Sequence, residues 1–146
     1  MPLRSLTSRV RSAVSRADGP PKATATTWFM VALLGGAGVA HFVKPDTYQA
    51  FVPSWFPAAP TVVAVSGVAE IGCAGLLAMP ATRRVGGWAS AALMVGVFPA
   101  NIDMAVTAVR HRVPAQAQAL TLARLPLQLP LIWWSLKAAG VGPGRP

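Results

Sequence analysis

Four stretches of the chain are apolar on nearly every side: residues 24–42, 61–79, 85–106 and 119–139. None shows the polar stripe that a helix on the surface of a soluble domain carries. A helix that is apolar all round belongs to a membrane span or to the interior of a large protein. The chain has 146 residues, too few for a large interior. A bilayer core about 30 Å thick takes about 20 residues of helix, and all four stretches meet that length. The pattern therefore predicts an all-α fold, a four-helix transmembrane bundle, preceded by a basic N-terminal segment. The divisions expected are 1–22 for that segment, 23–139 for the membrane domain and 140–146 for a flexible Gly/Pro tail.

Charge sets the expected orientation. Thirteen Lys and Arg stand against four Asp and Glu, and five of the basic residues fall in the first 22 positions. With the N-terminus cytoplasmic, nine basic residues lie inside (Arg4, Arg9, Arg11, Arg16, Lys22, Arg83, Arg84, Lys137 and Arg145). Four lie outside: Lys44, Arg110, Arg112 and Arg124. This bias predicts a multi-pass protein of the cell membrane with both termini in the cytoplasm. The Arg110-His111-Arg112 cluster is the main dissent. No nucleic-acid partner is expected, because no aromatic-basic platform accompanies the charge. Three readings stand for the leader. Leu3, Leu6, Val10, Val14 and Ala17 share one helical arc with the arginines off it, as in a helix lying on anionic lipid. A solvated cationic tail fits equally well. A signal peptide cut near Gly38-Val39-Ala40 is the third.

The loop after the first stretch holds Pro45, Pro53 and Pro57 with Tyr48, Phe51, Trp55 and Phe56. Such a segment is stiff and amphipathic, and its aromatics suit the headgroup zone. It is expected to fold over the outer mouth of the bundle as a short helix and turn. An interfacial anchor with no part in a site is the competing reading.

Ionisable groups inside a membrane are costly and are site candidates by default. Glu70 sits mid-way along the second stretch, with Ser66 and Cys73 on the same helical face. Arg124 and Gln128 share a face of the fourth stretch. Asn101 and Asp103 are about 200° apart around a helix, so only one of them, Asn101, is expected to face inward. His41 closes the first stretch. By depth, His41, Asn101 and Arg124 fall in the outer half with Glu70 just beneath them, so one outward-facing polar pocket is expected to hold these four with Gln128, and Glu70 with Arg124 is the expected ion pair. A buried pair of this kind also serves simply to fix helix assembly. Pro99, Pro126 and Pro130 free the carbonyls of Val95, Leu122 and Pro126, which adds backbone acceptors near the same residues.

One cysteine, Cys73, excludes an internal disulfide and a CxxC dithiol. Two histidines and one cysteine exclude a typical structural zinc site, so no metal is expected. Met30, Met79, Met94 and Met104 read as packing.

Taken in order, several groups form a set. They are His41-Phe42 with Pro45, Tyr48 and Val52-Pro53; Ser66-Gly67 with Glu70; Pro80 and Thr82-Arg83-Arg84; Phe98-Pro99-Ala100-Asn101; and Arg124-Leu125-Pro126-Leu127-Gln128. This set resembles the DoxX-like family of small four-helix integral membrane proteins over about residues 28–134. The resemblance implies a redox association: an accessory or subunit of a quinone-linked or thiol and oxidant-defence system. It implies a bound quinone as the one candidate cofactor. Membrane lipids, membrane redox proteins and a second copy of the chain are the implied partners. The ligand-binding set is then His41, Tyr48, Glu70, Asn101, Arg124 and Gln128, with Glu70 the candidate catalytic proton carrier. The lone Cys73 departs from a dithiol exchanger. The alternative is a non-enzymatic binding or assembly protein whose Glu/Arg cluster is structural.

Overall fold

Thr24 opens the first helix. Its Oγ1 accepts from the Thr27 N–H at 3.3 Å, and its own N–H donates to Thr27 Oγ1 at 3.2 Å. This reciprocal capping box satisfies two of the donors that a helix start leaves free. In the computed structural model, which describes residues 19–142, five helices follow in order. They are α1 (Ala25–Val43), α2 (Pro45–Gln49), α3 (Ala59–Ala78), α4 (Arg83–Arg110) and α5 (Ala115–Ala138). The described residues are all helix, turn and irregular chain, with no strand among them. The expected leader helix falls on residues 1–18 and the end of the Gly/Pro tail on 143–146, both outside the described residues.

Three helices, α1, α3 and α4, are long and apolar enough to cross a membrane. The 24-residue α5 is long enough, but Gln116, Gln118, Arg124, Gln128 and Lys137 leave it outside that apolar set. The outward faces carry large apolar residues: Val65 is 62 % exposed, Val68 63 % and Leu129 70 %. Water does not tolerate such continuous faces on a monomer, whereas lipid does.

Short turns between α3 and α4 and between α4 and α5 make these neighbours antiparallel. The most extensive contacts join α1 to α3 and α4 to α5, and α3 and α4 connect the two pairs. A shorter contact joins α1 to α5. The core is small and gathers residues from all four long helices: Met30, Leu34, Cys73, Ala74, Leu77, Met94 and Ala138.

Glycine sets the closest approach between α1 and α3. A Cβ on Gly38 would lie 2.8 Å from the Gly67 carbonyl oxygen, and one on Gly67 would lie 2.9 Å from His41 Cβ. Only hydrogen fits at that crossing. It brings the C-terminal turn of α1 against the middle of α3.

At the opposite end Arg83 is buried to 4 % exposure, with no carboxylate within 4 Å among the described residues. Its Nε donates to the Leu77 carbonyl at 2.9 Å and its Nη2 to Ala78 at 3.0 Å. Its Nη1 donates to the Pro21 carbonyl at 2.7 Å. Thr82 Oγ1 donates to Leu76 at 2.9 Å. Three of the carbonyls that the end of α3 leaves unpaired are thus satisfied, and the guanidinium also meets the negative end of the α3 dipole.

Candidate functional site

His41 is the last buried residue of α1. Its Nδ1 lies 2.8 Å from the Ala37 carbonyl oxygen and 3.4 Å from Glu70 Oε2. Both neighbours are acceptors, so Nδ1 is the nitrogen that carries the proton. The nearer acceptor, the Ala37 carbonyl, takes the hydrogen bond. Glu70 Oε2 consequently sits beside the ring, fully buried, with no hydrogen-bond donor. Glu70 Oε1 accepts from Ser66 Oγ at 3.5 Å, a long contact one turn away on α3. His41 Nε2 has no partner among the described residues.

Tyr48 covers this pair. It stands on the short helix α2, where Pro45 begins the turn and fixes its φ. Its ring lies 3.8 Å from the His41 ring, centroid to centroid, tilted by 30°. The loop does form a short helix and turn, and its two aromatic contacts reach different helices. Tyr48 lies on His41 of α1, and three residues on, the Phe51 ring lies 5.7 Å from the Arg124 guanidinium carbon of α5.

A second polar cluster lies between α4 and α5. Asn101 Nδ2 donates to Gln128 Oε1 at 2.7 Å, and Gln128 Nε2 donates to the Met94 carbonyl. Gln128 is buried to 3 % exposure, and both ends of its amide are engaged. The Met94 carbonyl is next to that of Val95, which Pro99 deprives of its usual N–H donor. Asn101 Oδ1 has no hydrogen-bond partner among the described residues, but every buried side-chain nitrogen and oxygen of the cluster is paired, as in a helix–helix lock.

The structure therefore sorts the six sequence candidates into three places. His41, Glu70 and Tyr48 come together. Asn101 and Gln128 form the second cluster. Arg124 is exposed, with its Nη1 3.8 Å from Met104 Sδ and its guanidinium carbon over the Phe51 ring. The expected Glu70–Arg124 pair is not formed. The one ion pair within 4 Å among the described residues is His41–Glu70. The reason is the order of packing: α3 lies against α1 and α4, while α5 lies against α4 and, less, α1. Depth along the membrane matched Glu70 to Arg124, but adjacency matched it to His41.

Cys73 is a buried free thiol one turn beyond Glu70. Among the described residues no three His, Cys, Asp or Glu side chains gather to hold a metal. What the first cluster offers is a buried carboxylate oxygen lacking a donor beside an imidazole with one nitrogen unspoken for. A neutral imidazole presents Nε2 as an acceptor, and an imidazolium presents it as a donor with Glu70 as counter-ion. The pair can bind a hydroxyl or a carbonyl and hold one proton for it.

Arg83 is the residue whose role sequence reasoning passed over, counting it as an inside charge and as part of the resemblance set. The available signal was its position, just after a turn that leaves the last carbonyls of an apolar helix without partners.

The chain belongs to the family described as Domain of unknown function (DUF8561), whose model matches residues 30–139. That span includes every residue of both polar clusters. No curated protein and no solved structure matches the chain.

Proposed function

We propose that this DUF8561 member is a multi-pass protein of the cell membrane with both termini cytoplasmic, and that its His41–Glu70 pair binds the headgroup of a quinone. It would act as an accessory or subunit of a quinone-linked or oxidant-defence redox system. The observation that carries this reading is the buried Glu70 Oε2 without a donor, 3.4 Å from His41 Nδ1. A structural lock satisfies its buried polar atoms, as the Asn101–Gln128 cluster does. This pair leaves one oxygen and one nitrogen open.

The residues present fit such a headgroup. His41 Nε2 can accept from a quinol hydroxyl or, protonated, donate to a quinone carbonyl. Glu70 holds the charge of the protonated ring. Tyr48 shields the pair from water at the loop end. Quinone chemistry supplies two-electron, two-proton exchange, and the electrons come from a partner protein, since a lone Cys73 offers no dithiol. The resemblance to the DoxX-like family supports the same reading. Apolar walls with a few convergent polar groups are the usual form of a small-molecule site.

The test is purification from native membranes into lipid nanodiscs, followed by mass spectrometry of the extracted small molecules. A quinone should accompany the wild type and be absent from Glu70→Gln. Bulk phospholipid alone in both samples would sink the reading. The second reading, a non-enzymatic assembly protein, is favoured by the Asn101–Gln128–Met94 network, whose buried side-chain atoms are all paired. Protein partners that survive Glu70→Gln but are lost on changing Tyr48 or Trp55 would support it.

A further inference from the structure

Arg124 is the tenth residue of the 24-residue α5, about 14 Å along its axis at 1.5 Å per residue. It lies on an exposed apolar face. Leu120, four residues before it, is 67 % exposed, and Leu127, three after, is 56 % exposed. These three share one side of the helix. A guanidinium carries five N–H donors. Here one reaches the soft sulfur of Met104 at 3.8 Å, and the guanidinium carbon lies over the Phe51 ring, 5.7 Å from its centroid. Both neighbours are neutral, and no carboxylate lies within 4 Å of Arg124 among the described residues. The remaining donors have no partner among the described residues, on a helix side that carries exposed leucines.

In hydrocarbon those donors require an acceptor. A long arginine side chain meets this need by reaching towards the headgroups. The acceptor found at that level is a phosphate, which matches the planar fork of arginine with two parallel hydrogen bonds. Arg124 shares its end of the bundle with Lys44, with Arg110 at the end of α4 and with Arg112 of the α4–α5 turn, against Asp46 and Asp103. This excess of positive charge favours an anionic lipid.

We propose that Arg124, beside Phe51, holds the phosphodiester of an anionic phospholipid at the loop end of the bundle. The site rests on the membrane reading above and is separate from the His41–Glu70 pair. It makes the 44–58 loop a lipid-linked element: Phe51 meets the lipid-bound arginine while Tyr48, three residues earlier, covers His41.

The test is native mass spectrometry of the full chain in detergent during titration with phosphatidylglycerol. The wild type should retain one lipid that Arg124→Gln holds roughly tenfold more weakly, the size of one charge-assisted hydrogen bond. Arg124→Lys should fall between them, because it keeps the charge and loses the fork. Glu70→Gln should retain the lipid fully. Equal retention by wild type and Arg124→Gln overturns the proposal. So does displacement by excess inorganic phosphate, which would mark a free-anion site. A protein complex lost in Arg124→Gln with lipid retention unchanged also overturns it, in favour of a partner's carboxylate. Recovery of the wild type in the membrane fraction tests the membrane reading separately from the lipid site.

Discussion

His41 Nδ1 faces Glu70 Oε2 at 3.4 Å, yet gives its hydrogen to the Ala37 carbonyl 2.8 Å away. The pair is held together by helix crossing rather than by a hydrogen bond between its members. That arrangement orients the ring, fixes its tautomer and leaves the carboxylate ready for another donor.

An asymmetry between the two single substitutions follows. Glu70→Gln keeps the shape and removes a buried charge, so stability should be unchanged or slightly higher. His41→Leu leaves a buried carboxylate without its neighbour and should cost about 3 kcal/mol, the loss typical when one member of a buried pair is removed. His41→Leu with Glu70→Gln should recover most of that loss. Thermal unfolding of the four proteins in nanodiscs, read as a double-mutant cycle, measures the coupling. A Glu70→Gln protein as unstable as His41→Leu would make the pair a structural element.

Gln128 predicts a different outcome. Its side chain serves Asn101 and the Met94 carbonyl at once. Gln128→Leu should destabilise by about 1–2 kcal/mol, the scale of hydrogen bonds between membrane helices. Asn101→Leu added to it should cost little more, because the partner is already gone. Quinone retention should be unaffected by either. Loss of quinone in a stable Gln128→Leu protein would move the site from α1/α3 to α4/α5.

The helices were largely legible in the sequence. The stretches 24–42 and 61–79 lie close to Ala25–Val43 and Ala59–Ala78, because unbroken apolar runs bounded by Thr24 and by Pro57 and Pro80 leave little choice. The last two helices extend beyond the apolar stretches, from Arg83 and from Ala115. Hydropathy marks what lipid touches, whereas backbone hydrogen bonds continue through polar residues. Depth was legible too, and it placed His41 and Glu70 at similar levels. Neighbour order was not. Glu70 could be matched to Arg124 or to His41 by depth alone, and the Gly38–Gly67 crossing decides between them. A chain read alone gives the spacing of these glycines but not which of them meet.

That crossing is itself open to test. An added Cβ at Gly67 would press on His41 Cβ and on the Gly38 carbonyl, while at Gly36 it would meet nothing within 4 Å. Gly36→Ala should therefore be neutral or stabilising by up to about 1 kcal/mol, the usual gain of alanine over glycine in a helix. Gly67→Ala should lower the melting temperature, separate α1 from α3 and reduce quinone retention in proportion. Equal behaviour of the two alanine variants would show that the crossing is looser than the structure has it.

Arg83 governs the other end. Its guanidinium joins the last turn of α3 to Pro21 through three hydrogen bonds, from 2.7 to 3.0 Å. The interaction is buried, and each bond to a charged donor contributes about 1.5–3 kcal/mol when intact. Removing the side chain leaves the Leu77 and Ala78 carbonyls unpaired and releases the segment before α1 from the bundle. Arg83→Met should thus destabilise the protein by several kcal/mol on that scale, and it should speed proteolysis around residues 19–24. Arg83→Lys should rescue little, since an ammonium cannot span three carbonyls with the geometry of a planar fork. Limited proteolysis of the nanodisc-embedded protein, with the cleaved bonds located by mass spectrometry, distinguishes the two effects. Cutting confined to residues 19–24 with an unchanged melting temperature would assign Arg83 to anchoring that segment alone. A lowered melting temperature without new cutting would assign it to capping α3.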